Sequence, residues 1–211
     1  MQYIIMCGGV YEGWEMPRQL TKIGSEAIVE RTIRFLKEVG VKDIAISSNH
    51  PAFEQFGVPV LHHENNYVAS DLNTSWVDGF YLTDEPVCYL FGDVVFSPEA
   101  IKTIVETETD SVQFFASSPP FADNYIKPYA EPFAFKVVDT EYFARCIAEF
   151  RRYKKAKLFK RWEPISWELW QIIKNTPINR IDYTNYYAIN DYTCDIDHAS
   201  DVELFKAKGV F

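Results

Sequence analysis

Positive charge is scarce in this chain. Lys and Arg number 21 against 30 Asp and Glu, for a net charge of −9. A surface that grips nucleic acid needs Lys and Arg to displace counterions from phosphates, so this balance argues against a nucleic-acid partner. Long hydrophobic runs are missing too. No stretch reaches the roughly 18 apolar residues of a membrane-spanning helix. The start, Met1-Gln2-Tyr3, has no basic region of the kind that opens a signal peptide. The expectation is a cytoplasmic protein with no membrane partner. Cysteine is limited to Cys7, Cys88, Cys146 and Cys194, with no CxxC and no Cys/His ligand spacing. That disfavours a zinc site and reads as reduced, structural thiols. His62 and His63 are adjacent, so on an extended segment they point to opposite faces and do not easily share an ion.

What remains is ordinary globular material: 47% apolar and 24% charged residues over 211 positions, enough for one domain or one domain with an insertion. Tyr3 to Cys7 is a short apolar run of buried-strand type that stops at Gly8-Gly9. Glycines after a strand let backbone N–H groups approach a ligand, and Pro17-Arg18-Gln19-Leu20 then presents a guanidinium toward the same space. An ordinary strand-to-loop turn with a surface arginine is the plainer alternative, since a lone glycine pair is a weak signal. Ser25 to Val39 has an apolar stripe at helical spacing, with Ser25 as N-cap and Gly40 ending the helix. Asp43 to Ser47 follows as a strand, completing a βαβ unit and implying a parallel sheet.

The second anchor is Pro86 to Ser97. Val87 to Phe91 reads as a central strand covered on both faces, and it ends at Gly92-Asp93. Open α/β sheets bind ligands outside the carboxyl ends of their strands, so Asp93 is placed to hold a hard divalent ion such as Mg²⁺. The alternative is an Asp that caps the turn before the helix at Ser97-Pro98. Near the end, Asp195 and Asp197 are two apart on a strand-like segment and share a face, the second carboxylate such a site needs. Asp71 to Leu82 reads as a helix whose polar first turn, Asn73-Thr74-Ser75, either caps itself or offers groups to a base or phosphate. Ser117 to Pro132 reads as a long loop containing Lys127. Arg151, Arg152, Lys154, Lys155, Lys157, Lys160 and Arg161 form the basic cluster of an acidic chain, with Trp162, Trp167 and Trp170 close behind. A solvated helix face and core packing explain these residues; a lid that handles an anionic acceptor is the sharper alternative, placed at about 151–190 within a single 1–211 domain.

Taken in order, YIIMCGG…PRQL, EAIVERTIRFLKEVGVKDIAI, LFGDVVF and DIDHASDVELF resemble the nucleotidyltransferase superfamily over nearly the whole chain. That group includes the sugar-phosphate nucleotidyltransferases and the small cytidylyltransferases. The resemblance implies a single Rossmann-like, GT-A-like α/β fold with a mostly parallel central sheet flanked by helices. It implies Mg²⁺-dependent transfer of a nucleotide, CTP for preference, to a phosphorylated metabolite or sugar phosphate with release of pyrophosphate, as in surface-polysaccharide synthesis. By position it implies nucleotide contacts at Cys7, Gly8, Gly9, Gln19, Asn73, Ser75 and Gly92, metal ligation by Asp93 with Asp197 or Asp195, and phosphate handling by Arg18 and Lys127. Three features depart from the family pattern, the first being a span from Gly9 to Pro17 that is short by about two residues. The loop Val10 to Trp14 lacks the arginine that usually follows the glycines, and arginine stands at 18 where the family has lysine. A glycosyltransferase on the same fold and a non-catalytic nucleotide binder are the alternatives. The aromatic cluster leaves open an acceptor pocket or a subunit interface, and with it a homodimer.

Overall fold

The computed structural model describes residues 1–8, 14–63, 75–117 and 130–207. Strand β1 (Gln2–Met6) precedes a 3₁₀ turn (Arg18–Leu20) and the short hairpin of β2 (Lys22–Ile23) and β3 (Glu26–Ala27). Helix α1 (Ile28–Glu38), β4 (Ile44–Ser47), a 3₁₀ segment (Pro51–Phe56) and β5 (Val60–Leu61) come next. After a 3₁₀ turn (Trp76–Gly79) run β6 (Val87–Phe91), β7 (Val94–Val95), α2 (Pro98–Glu106), β8 (Val112–Ser117) and β9 (Glu131–Val137). The chain continues through α3 (Thr140–Lys155), α4 (Ser166–Ile173), β10 (Tyr187–Ala188), β11 (Cys194–Asp195) and α5 (Ala199–Ala207).

Side-chain alternation decides the layering. On β1, Tyr3 and Ile5 enter one core and Ile4 the other; on β6, Cys88 and Leu90 stand opposite Val87 and Tyr89. Strands buried on both faces need helices above and below. Residues of α1 and α2 fill the first core, and those of α3 and α4 fill the second. The main sheet has the order β10-β8-β9-β6-β1-β4-β5. β1 is parallel to β4 and β6, and only β9 runs against its neighbours β6 and β8. The mostly parallel α/β sandwich is as the sequence implied.

Some element bounds differ. Helix α1 starts at Ile28 rather than after Ser25, because Glu26 and Ala27 are taken up in the hairpin. Its first turn is capped instead by Glu30, whose carboxylate accepts from the Ala27 N–H at 3.3 Å. The helix expected over 71–82 is, in its described part, the 3₁₀ turn Trp76–Gly79. Helix α3 extends through Lys155 and so takes in the first half of the basic cluster. Within 151–190, α4 is buried along its length, and Trp167 and Trp170 are core residues. Trp167 packs edge-on to Phe114 at 5.0 Å and donates its indole N–H to the Ala130 carbonyl at 3.0 Å. That bond fixes the entry to β9.

Three helices end in the same way, with a left-handed residue followed by paired backbone bonds to the last turn. In α1 the residue is Gly40, in α4 Asn175, and in α3 Lys157, at φ 88°, 52° and 54°. For α3 the Leu158 N–H reaches the Tyr153 carbonyl at 3.0 Å and the Lys157 N–H reaches Lys154 at 2.9 Å. Glycine and asparagine suit this conformation; lysine carries a steric penalty there of about 1–2 kcal/mol.

The end of α2 is held differently. Lys136 on β9 is buried, and its ammonium donates to the carbonyls of Ile104, Val105 and Thr107 at 3.0, 2.8 and 2.6 Å. These oxygens at the helix terminus have few intrahelical donors. Burial holds the Lys136 amine below its ordinary range, which makes the three acceptors its compensation. Replacing Lys136 by Met keeps the stem and removes the cap; it should destabilise the fold by about 1–3 kcal/mol, read from urea unfolding.

Candidate active site

Six of the seven strands of the main sheet point the same way, so their carboxyl ends share one edge. In such sheets that edge, where the strand order reverses around the first strand, is where ligands bind. β1 and β6 end there side by side and deliver Cys7-Gly8 and Gly92-Asp93. The two ends are pressed together. A Cβ on Gly92 would lie 2.5 Å from the Met6 carbonyl oxygen, 2.8 Å from the Cys7 sulfur and 3.1 Å from the Gln19 Cγ. Only glycine permits that approach, and the Gly92 N–H donates to the same Met6 oxygen at 3.0 Å.

From Asp93 the chain enters β7, which pairs antiparallel with β11, Val94 opposite Asp195. The Ile196 N–H then closes onto the Asp93 carbonyl at 2.9 Å. A separate core of Ile23, Ile28, Val95, Ile196 and Phe205 supports this ladder from below. Its effect is to carry the C-terminal carboxylates to the edge of the main sheet. Asp201 holds the turn that follows, accepting from the N–H groups of Asp197 and His198 at 2.9 and 2.7 Å.

Arg18 joins these pieces. One guanidinium nitrogen donates to Asp93, and the other donates to Asp197 Oδ1 at 2.7 Å. Asp195, the alternative ligand, turns to Glu131, with which it shares a hydrogen bond. Glu131 is 5% exposed and was not singled out from sequence. Because β9 runs antiparallel, its first residue arrives at the edge where the parallel strands finish. The signal was a carboxylate directly before an apolar strand, and it has meaning only once the direction of that strand is known.

Among the described residues the site is therefore strongly acidic around the guanidinium of Arg18. Burial raises the Asp93 carboxyl above its usual range; Arg18 pulls against this, and Asp197 adds to the rise. Burial, then Asp195, Asp197 and Asp93, push Glu131 up to about 9. Cys7 is buried, its thiol raised first by burial and then by Asp93, which makes it inert packing rather than a nucleophile. Gln19 is 2% exposed, and its side-chain oxygen has no hydrogen-bond partner among the described residues. Ser75 is buried at the start of its 3₁₀ turn, where its N–H donates to Asp78 at 2.6 Å. That turn leans on the same sheet edge: Trp76 packs edge-on to Phe91 at 5.5 Å, and the Ser47 hydroxyl donates to the Gly79 carbonyl at 3.4 Å. Gly9, Asn73 and Lys127 lie outside the described residues. Among the described residues, no group of three or more His, Cys, Asp or Glu is arranged to hold a metal ion, the His62-His63 pair included.

No family model matches the chain, and no curated protein sequence matches it. Solved structures do. One, assigned as a glucose-1-phosphate thymidylyltransferase from Bacillus anthracis, is 15% identical with a TM-score of 0.55, covering 99% of this chain and 94% of its own. This chain has the nucleotidyltransferase fold. A CTP:phosphocholine cytidylyltransferase from Streptococcus pneumoniae matches at 15% identity and TM-score 0.53, over 99% of this chain and 98% of that one. A 4-diphosphocytidyl-2C-methyl-D-erythritol synthase from Anaerococcus prevotii matches at 12% and 0.58, over 100% and 98%. The overlap runs nearly end to end in all three.

Two consequences are measurable. Gly92→Ala forces Met6, Cys7 and Gln19 apart and should destabilise by about 1–3 kcal/mol, seen as a lower urea midpoint. The folded state holds a proton on Glu131 that the unfolded chain releases in the ordinary carboxyl range. That stabilisation is present at acid pH and is lost as pH rises through the folded value of about 9. Without divalent ions, the melting temperature should fall between about pH 6 and pH 9, and less steeply in Glu131→Gln. Parallel curves for the two proteins would refute the assignment.

Proposed function

We propose that this chain is a nucleotidyltransferase that joins a nucleoside triphosphate, CTP for preference, to a small phosphorylated metabolite or sugar phosphate, releasing pyrophosphate. The observation that carries this reading is the guanidinium of Arg18 held between Asp93 and Asp197 at the carboxyl edge of β1 and β6. A triphosphate is repelled by this much negative charge unless cations intervene. The similar structures support the substrate class: they are named for thymidylyl transfer, cytidylyl transfer to phosphocholine, and a diphosphocytidyl product. Two of these three proteins are named for cytidylyl chemistry, which favours CTP.

The residues suit a Mg²⁺ ion of the two-carboxylate kind. Asp93 and Asp197 converge on one cationic seat, and Mg²⁺ takes one or two protein carboxylates with waters and substrate phosphates completing its shell. Asp93 and Asp197 would hold it, and when bound it supplies charge neutralisation on the phosphates. Arg18 would then turn its donors to phosphate oxygens, which a guanidinium meets bidentately. The orphaned Gln19 oxygen offers an acceptor for a donor group of the nucleotide. Gly8 and Gly9 would give the backbone approach, Cys7 and Gly92 the packed floor beneath it, and Asn73 and Ser75 the polar turn beside the base. Lys127 would steady the acceptor phosphate. An oxygen of that phosphate attacks the α-phosphorus in line, the α–β phosphoanhydride bond breaks, and pyrophosphate leaves. The chain contributes positioning and charge rather than a covalent nucleophile.

The test is pyrophosphate release with Mg²⁺ across CTP, UTP, dTTP, GTP and ATP and a panel of phosphorylated acceptors. One nucleotide should be used, with rates reduced about 10²–10³-fold in Arg18→Gln and in Asp93→Ala. Thermal shift accompanies it, because a ligand bound to the native state raises the melting temperature whether or not turnover follows. Stabilisation without pyrophosphate would favour the non-catalytic binder. No stabilisation by any nucleotide would sink the proposal.

A further inference from the structure

The loop that follows α3 is set apart from the rest of the surface by charge and by exposed apolar groups. Residues 151–161 hold seven of the 21 Lys and Arg and no Asp or Glu. In a chain of net charge −9 this makes a separate electropositive face, since exposed charges more than about 8 Å away are largely screened at physiological ionic strength. Arg151, Arg152 and Arg161 are engaged with Asp78, Glu149 and Glu168. Lys155, Lys157 and Lys160 are exposed and make no ion pair among the described residues.

Among those cations stand Leu158 and Trp162. At 54% and 64% exposure they are the most exposed large apolar side chains among the described residues. Phe159 packs back on Phe150 and Tyr153, with ring centroids 4.9 and 6.0 Å apart, so the loop is anchored while Leu158 stays in water. The backbone carries a local penalty as well. Lys157 occupies the left-handed position that Gly40 and Asn175 fill in the other two caps. A merely solvated lysine face needs neither exposed Leu and Trp nor lysine at that position.

We propose that the tip from Lys155 to Trp162 docks the protein on an anionic lipid bilayer. Each basic residue near such a surface raises partition about fivefold, and the three free lysines act together. Leucine and tryptophan enter the headgroup boundary, where an amphipathic indole is favoured. Among the described residues no helix is long and apolar enough to cross a membrane, so the contact is peripheral. A polyanion such as nucleic acid would use the lysines but has no use for Leu158, which is why the bilayer is the better occupant.

The experiment is co-sedimentation of the full chain with vesicles of phosphatidylcholine and phosphatidylglycerol at about two to one, beside pure phosphatidylcholine, at low and physiological salt. Retention on the mixed vesicles alone is expected. It should fall at least tenfold in the Lys155→Glu, Lys157→Glu, Lys160→Glu triple variant, and severalfold in Leu158→Ser with Trp162→Ser. Lys157→Gly separates folding from docking: the melting temperature should rise while retention drops about fivefold. No retention on mixed vesicles at low salt overturns the proposal, as does retention untouched by the charge reversals. Binding to heparin without binding to vesicles overturns it in favour of a polyanionic partner.

Discussion

The ion pairs of Arg18 with Asp93 and Asp197 are the contact on which the assembly of the edge depends. They tie three distant parts of the chain: the turn after β1, the end of β6 and the segment after β11. One guanidinium faces a group that also contains Asp195 and Glu131, so the local balance is negative. Like charges so placed repel strongly in a partly dry setting, and two responses are visible. Glu131, its carboxyl pushed up to about 9, holds its proton at neutral pH, and Arg18 bridges two of the three carboxylates that remain, Asp93 and Asp197. Such a bridge is not in itself a source of much stability, because desolvation offsets most of its attraction. Its importance lies in what it holds in place: a cationic seat, already formed, at the point where the sheet order reverses.

Both acidic partners flank a short ladder: Asp93 lies between the end of β6 and β7, and Asp197 follows β11. β7 and β11 have two residues each, too few to stand alone. They persist because Val95 and Ile196 are fully buried against Ile23, Ile28 and Phe205. The hydrophobic patch under the site therefore sets the spacing of the charges above it. Ser97 adds a second tether, its N–H bonded to Thr193 at 3.0 Å and its hydroxyl to Asp191. The helix that starts at Ser97 and the strand that ends at Asp195 are thus fixed to each other, and Asp93 and Asp197 with them.

How much of this was legible in the sequence follows from the range of each signal. The apolar runs of β1 and β6, and the glycines that end them, are local patterns, and they placed Asp93 and Arg18 at the carboxyl edge of the sheet, where the structure has them. Asp197 was legible through its two-residue spacing from Asp195, although which of the two meets Arg18 depends on the β7–β11 register. Glu131 was not legible, because nothing local tells that β9 runs antiparallel. The cap of α1 was misplaced because Ser25 is a good N-cap by type, yet Glu26 and Ala27 gain more from pairing with β2. The tryptophans of α4 were ambiguous for a related reason. Composition cannot distinguish a buried aromatic from a pocket wall, and only the packing of Trp167 on Phe114 decides it.

Gly92 shows how closely packing and the candidate site are joined here. From sequence it marks the end of β6, and the family resemblance implies a nucleotide contact there. In the fold it is kept because the Met6 carbonyl, the Cys7 sulfur and Gln19 already fill the space a side chain would need. The two explanations are not rivals. Bringing β1 and β6 close enough to exclude a methyl group is what sets Asp93 within reach of Arg18, one residue before Gln19. A guanidinium spans two carboxylates with separate nitrogens, as it does here, whereas an ammonium offers a single point of charge. Arginine at position 18 is therefore matched to the paired carboxylates, and its planar fork is equally matched to paired phosphate oxygens. On the proposed reading, Arg18 alone would exchange an internal anion for a bound one, in a site with no arginine at 10–14.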